Sequence, residues 1–144
     1  MMLQTPPAQE SDFDALSELR LAAMRESLQA LGRFDPDRSR ARLRAGFEPA
    51  LTRHIIVDGE RAGFYILDDR QAAWRLTHFY LSPEYSGRGI GSRVLRELCA
   101  RARTLGASIE LGALKGSRSN AFYLAHGFEK VGESEWDVEY RYRA

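Results

Sequence analysis

Cysteine occurs once in this chain, at Cys99. No internal disulfide can form, and the fold must hold without covalent staples, as in a reducing compartment. Long apolar runs are missing: no stretch approaches the roughly 18 residues of a membrane span. Residues Met1 to Glu10 have neither a basic start nor an apolar stretch, so nothing there reads as a signal peptide. An excess of one charge is missing too. Lys and Arg number 21 against 20 Asp and Glu, a net charge of +1, which leaves no footprint for nucleic acid or for a membrane surface. The three histidines, His54, His78 and His126, are too scattered for a metal set, and no metal is expected. Repeats, low-complexity tracts and linkers are absent. The expectation is one cytoplasmic domain spanning residues 1–144, long enough for a core of its own.

What the chain does have is the segment Ser82-Pro83-Glu84-Tyr85-Ser86-Gly87-Arg88-Gly89-Ile90-Gly91-Ser92. An apolar, β-rich run, Trp74 to Leu81, leads into it, and an amphipathic helical run, Ser92 to Leu105, leaves it. Glycine lets the backbone approach a ligand closely. The N–H groups of a first helical turn then point at its negative charge. The junction therefore reads as a phosphate site. It is not a P-loop, because no glycine run ends in Gly-Lys-Ser/Thr. It is not a dinucleotide fingerprint either, because Val94 stands where Gly89-x-Gly91-x-x requires a third glycine. A plain turn seldom needs three glycines in five residues.

The remaining pattern is α/β. Ser11-x-x-Asp14 marks a helix start, and Leu16, Leu19, Ala23 and Met24 follow at helical spacing. Asp35-Pro36-Asp37 opens a second helix with a capping Asp and a Pro in the first turn. His54–Val57 and Ala62–Leu67 flank Asp58-Gly59, a hairpin signal. Trp74 to Leu81 is the next strand. Val94, Leu95, Leu98, Ala102 and Leu105 form a helix stripe that Gly106 ends, and Cys99 on its apolar side reads as a core residue rather than a nucleophile. Ile109, Leu111 and Ala113 alternate in a strand. Trp136, Val138, Tyr140 and Tyr142 alternate with charged residues in a last strand, whose edge would allow a homodimer by strand pairing. The order α-α-β-β-β-α-β-α-β, with room for an extra strand at Met2 to Thr5, gives a central mixed sheet covered by helices.

Ser86-Gly87-Arg88-Gly89-Ile90-Gly91 resembles the Gln/Arg-x-x-Gly-x-Gly/Ala loop of the GNAT superfamily of acyl-CoA-dependent N-acetyltransferases, and Pro83-Glu84-Tyr85 before it is typical of that family. A second block, Ser117-Arg118-Ser119-Asn120-Ala121-Phe122-Tyr123-Leu124-Ala125-His126-Gly127-Phe128, resembles the family's Asn…Tyr-x-x-x-Gly-Phe segment. It reads as a short helix capped near Ser117 or Ser119 and closed by Gly127. The resemblance covers residues 54 to 142 and is weak before them. Ser86 departs from the family's Gln or Arg, which implies that a side chain supporting the loop is missing while the backbone cradle stays. The resemblance implies the GNAT fold, a mostly antiparallel mixed sheet flanked by helices. It implies transfer of an acetyl group from acetyl-CoA to a primary amine, directly, in a ternary complex. A small-molecule amine is the first acceptor class and a peptide or protein amine the second. A non-catalytic CoA-binding module is the reading outside the enzymes. A toxin-like enzyme acting on aminoacyl-tRNA is disfavoured by the near-neutral charge.

Such a transfer needs a neutral amine, a donor for the oxyanion, a proton for the leaving thiolate and two substrates held together. The resemblance places the backbone of Gly87, Arg88, Gly89, Ile90, Gly91 and Ser92 on the CoA pyrophosphate. It places the strand end Phe79, Tyr80, Leu81 beside the pantetheine arm, as in strand addition. It gives Asn120 a hydrogen bond to the cofactor arm and makes Tyr123 the acid for the thiolate, its phenol pKa of about 10 suiting a thiol. On the residue alone, Tyr123 reads as a core aromatic with its hydroxyl satisfied. His78, Glu26, Glu84 and Glu110, directly or through water, are the candidates for the base. His78 shares a strand face with Leu76 and Tyr80, and is either the base or a packed, hydrogen-bonded histidine. Glu26, late in the first helix, is a candidate acceptor contact or a solvated charge. Glu110, opposite in face to Ile109 and Leu111, reads equally as a surface carboxylate. His54 and His126 read as structural or exposed. Residues 11 to 53 should wall the acceptor pocket. Their arginines, Arg33, Arg38, Arg40, Arg42, Arg44 and Arg53, read as a solvated basic face or, more sharply, as an attraction for a carboxylate-bearing amine. In the sharper reading Arg88 and nearby cations would instead meet the adenosine 3′-phosphate.

Overall fold

The computed structural model describes residues 1–144. In chain order it contains β1 (Leu3–Gln4), α1 (Phe13–Ala30), α2 (Pro36–Gly46), β2 (Thr52–Val57), β3 (Glu60–Asp68), β4 (Ala73–Leu81), α3 (Ile90–Leu105), β5 (Ser108–Leu114), α4 (Ser119–Ala125), β6 (Glu129–Glu133) and β7 (Asp137–Tyr142). The strands lie in one sheet in the order β1-β2-β3-β4-β5-β7-β6. The sheet is mixed: β4 and β5 run parallel from Ala73↔Ser108 to Arg75↔Glu110, while β1–β2, β2–β3, β5–β7 and β6–β7 are antiparallel. The α/β class expected from the sequence is the one observed, and the extra N-terminal strand is β1. No helix is long and apolar enough to cross a membrane. The chain divides into two compact units, Met1–Leu67 with Thr77–Gly87, and Asp68–Leu76 with Arg88–Ala144.

In the first unit α1 begins two residues later than Ser11, after a short 3-10 turn over Glu10–Asp12. Gln9 and Asp12 form the capping box there, the Gln9 N–H donating to Asp12 Oδ2 at 2.8 Å. Asp35 caps α2 as its sequence predicts, accepting from the Arg38 N–H at 3.1 Å. Asp58 (φ 50°) and Gly59 (φ 85°) make the tight turn between β2 and β3. The core beneath α1 and α2 is built from Phe13, Leu16, Leu19, Leu43, Phe47, Phe64 and Ile66, with Tyr80 packed against it. His54 is buried and bonds Asp12 through Nε2 at 3.0 Å, a structural role.

In the second unit α3 buries Ile90, Val94, Leu95, Leu98, Cys99 and Ala102, the stripe expected from its spacing. β5 buries Ile109, Leu111 and Ala113 in alternation. Two expectations are corrected. The last strand is not an edge, because β7 pairs with β5 on one side and β6 on the other; strand pairing between copies through β7 has no free edge to use. And α4 is not capped by a serine: Arg118 holds the cap position with no side-chain bond, while the Ser117 and Ser119 hydroxyls bond each other at 2.6 Å.

Candidate active site

The glycine loop has the backbone a phosphate cradle needs. Gly87 (φ 73°) and Gly89 (φ 79°) are both left-handed, a conformation that costs other residues roughly 1–2 kcal/mol. A Cβ added at either would meet nothing within 4 Å, so the space beside the loop is open. α3 starts directly after Gly89, and no side chain bonds to its first-turn N–H groups. The N–H groups of Ile90, Gly91 and Ser92 therefore open the helix as unclaimed donors at its positive pole. Ile90, 1% exposed, anchors the turn from below, while Ser86, Arg88 and Gly89 are exposed. These features fit an anionic phosphate group.

Ser92 is tied down by a residue whose partners were not legible in the sequence. Its hydroxyl lies 2.5 Å from His126 Nε2, and His126 Nδ1 lies 2.7 Å from the Phe122 carbonyl. A carbonyl only accepts, so Nδ1 carries the proton, and in the neutral ring Nε2 accepts from Ser92. His126 thus latches the first turn of α3 to the end of α4.

Tyr123 is buried in an aromatic cluster with Phe122, Phe128 and Tyr140, at ring separations of 5.4, 5.6 and 6.1 Å. Asn120 sits beside it with both ends of its amide engaged. Nδ2 donates to the Leu114 carbonyl (2.9 Å), the Ser117 carbonyl (3.0 Å) and the Ser117 hydroxyl (3.3 Å), and Oδ1 accepts from the Tyr140 hydroxyl (2.8 Å). Asn120 therefore ties the end of β5 and the turn after it to α4 and β7. Burial pushes the Cys99 thiol up to about 11, against a smaller opposing pull from Arg103, so it stays protonated.

In the first unit Gly63 fixes the end of β4. A Cβ there would lie 2.1 Å from the Tyr80 carbonyl, so only glycine permits the close approach that positions Tyr80 and Leu81. Phe79, Tyr80 and Leu81 are each half-buried, whereas His78 is 7% exposed. The Tyr80 hydroxyl lies 3.1 Å from Arg20 Nε and 2.8 Å from His78 Nδ1. Arginine can only donate, so the hydroxyl accepts from Arg20, and it shares a second hydrogen bond with His78 Nδ1. Burial, and then the charges of Arg20 and Arg42, push the His78 pKa down to about 3. His78 is a neutral ring bonded to Tyr80.

The other candidates are spread out. Glu26 is on the exposed side of α1, away from the buried Arg20, and Glu84 is exposed in the loop. Glu110 is committed to Arg141 directly across the β5–β7 ladder, at 3.0 Å. The arginine run is largely consumed by the fold: Arg38 pairs with Asp35, Arg40 with Asp14 and Arg44 with Glu10, and Arg53 donates to the Thr5 carbonyl. A buried polar residue beside the strand end that the sequence did not single out is Arg20. Its signal was its place inside the apolar stripe, four residues after Leu16 and next to Leu19.

A model of the acetyltransferase (GNAT) domain matches residues 51–130, more than half of the chain. No curated protein sequence matches it. The structure is similar to paia N-acetyltransferase from Thermoplasma acidophilum in complex with coenzyme A, with TM-score 0.79 and 17% identity over 100% of both chains. It is similar to an acetyltransferase from Thermus thermophilus (TM-score 0.75, 16% identity, covering 100% of this chain and 98% of that one). It is also similar to the ribosomal-protein-S18-alanine N-acetyltransferase from Escherichia coli, with TM-score 0.72 and 15% identity over 99% and 94% of the two chains. At these identities the likeness is one of fold.

Proposed function

Because the chain belongs to the GNAT acetyltransferase domain family, and is by that an acyltransferase, we propose that it moves an acetyl group from acetyl-CoA to the primary amine of a small molecule, directly, with both substrates bound. Residues 1–144 act in this reading as one catalytic domain. The observation that carries it is the cradle at Gly87 to Ser92, with its two left-handed glycines, open space and uncapped helix start. The fold shared with an N-acetyltransferase solved with coenzyme A supports that cofactor.

When bound, acetyl-CoA supplies the acyl group and a thiolate leaving group. The backbone of Gly87, Arg88, Gly89, Ile90, Gly91 and Ser92 receives the pyrophosphate, and Phe79, Tyr80 and Leu81 run beside the pantetheine arm. Tyr123, its ring fixed by the aromatic cluster, gives its proton to the thiolate as the C–S bond breaks and the new C–N bond forms. Asn120, with its amide spent inside the chain, serves by holding Tyr140 against Tyr123. His78 is assigned to positioning Tyr80, since a buried ring with its pKa near 3 and Nδ1 engaged is a poor proton acceptor. The amine proton then leaves to water, and Glu26 at the exposed side of α1 is available to meet the incoming ammonium. A protonated, buried Cys99 speaks for direct transfer over an acyl-thiol intermediate.

The first test is thermal stability with acetyl-CoA, CoA or ATP. Ligand at about 100 times its Kd adds roughly 2.7 kcal/mol, about 5–11 °C for a domain of this size. A shift with both thioester and thiol but not with ATP is expected, followed by amine-dependent release of CoA; no shift refutes the cradle. The fold shared with the ribosomal-protein-S18-alanine enzyme supports a second reading, a peptide amine as acceptor. Acetylation of peptides but of no free amine would decide for it.

A further inference from the structure

α1 buries one arginine on its inner side. Arg20 is 4% exposed. Its Nε donates to the Tyr80 hydroxyl at 3.1 Å, and one Nη donates to the Ser39 carbonyl at 3.2 Å and the Ser39 hydroxyl at 2.6 Å. The guanidinium lies over the Tyr80 ring, 5.4 Å from its centroid. Every one of these partners is neutral, and no carboxylate pairs with Arg20. Its second Nη has no partner in the chain. His54 Nδ1 is the fully buried side-chain atom left unsatisfied, so this Nη still meets solvent. A cation this deeply buried is ordinarily paired, because an unpaired charge out of water is costly. No counter-charge for Arg20 comes from within the chain.

We propose that Arg20 seats the carboxylate of the acceptor, so that the substrate is an amine bearing an acidic group, an amino acid or a close relative. The inference rests on the acetyltransferase reading and narrows it. Three features favour a substrate carboxylate over a purely structural bolt. Ser39 and Tyr80 fix the planar guanidinium through Nε and one Nη and leave the second Nη preoriented, which lowers the cost of binding. Tyr80 belongs to the strand end assigned to the pantetheine arm, so the cation is one hydrogen bond from it. The charge of Arg20 opposes a plain ammonium and favours a zwitterion whose carboxylate enters first.

The test uses matched pairs: glycine and glycinamide, β-alanine and β-alaninamide, phenylalanine and phenylalaninamide. Amides hold more unprotonated amine at a given pH, so a preference for the acids cannot come from amine basicity. The acids should exceed their amides by at least about tenfold in kcat/KM, as expected for a hydrogen bond to a charged group. Arg20→Gln should bring the ratio to about one, and Arg20→Lys should retain part of it. Calorimetric titration of acids and amides into the CoA-saturated protein should show the same preference without turnover. If Arg20→Gln does not fold, the wild-type pairs, the titration and Arg20→Lys decide. Equal turnover of acids and amides overturns the inference and leaves the acetyltransferase reading standing. If no amine is acetylated, that reading fails, and absence of acid binding in the titration overturns the inference separately.

Discussion

Asn120→Ala separates a structural tether from a cofactor contact. The amide makes four hydrogen bonds inside the chain, to Leu114, twice to Ser117, and from Tyr140. Alanine removes them all and leaves two carbonyls and a phenol short of a partner in a half-buried turn. At about 1 kcal/mol net per bond, discounted for the long one and for water reaching the turn, the loss is about 2–4 kcal/mol. That corresponds to a fall of roughly 5–15 °C in Tm. Tyr140→Phe removes the single Oδ1 partner and should cost about 1 kcal/mol. In a double-mutant cycle the two changes should couple by a similar amount. Urea denaturation and thermal melting of the three variants, with acetyl-CoA titrations alongside, give the answer. If Asn120→Ala melts with the wild type while acetyl-CoA affinity collapses, the side chain serves the ligand and the tether argument is wrong.

Gly89→Val should lose the acetyl-CoA-dependent thermal shift at a stability cost of about 1–2 kcal/mol from backbone strain; a normal shift would move the phosphate site elsewhere. Tyr123→Phe should lower kcat by about 10- to 100-fold or more, within the range of acid catalysis, with acetyl-CoA affinity nearly unchanged, and an unchanged kcat removes its acid role. His78 titrates near 3 in the folded chain against 6.5 when unperturbed. Its unfolded form therefore binds the proton first, and its contribution is fully present above pH 6.5 and is lost as pH falls toward 3. Stability should drop by about 1.4 kcal/mol per pH unit across that window from this group alone. In His78→Gln that part of the slope should vanish, and an identical slope in both proteins would refute the assignment.

What could be read in advance was what short-range chemistry decides. Asp35 before Pro36, Asp58-Gly59 between two apolar runs, and the glycines ahead of the Val94–Leu98–Ala102 stripe each act on their own few residues, and each lies where expected. β6 escaped notice because Glu129-Lys130-Val131-Gly132-Glu133 has no alternation to show: four of its five residues are exposed, as suits an edge strand. The insertion of β7 between β5 and β6 is a long-range pairing that no local signal encodes. Arg20 and His126 were passed over for a related reason. A polar residue on or beside a helix reads as surface until its partners are known, and those partners come from Ser39 and Tyr80 in one case and Ser92 in the other.

The placement of β7 has a consequence for how the C-terminal half of the sheet closes. β6 is synthesised before β7 yet has no neighbour in the sheet except β7. Without β7, the five residues of β6 have no strand to pair with, and the flank of β5 stays open to any passing strand. One six-residue segment closes both at once. A chain truncated just short of Asp137 should therefore be aggregation-prone.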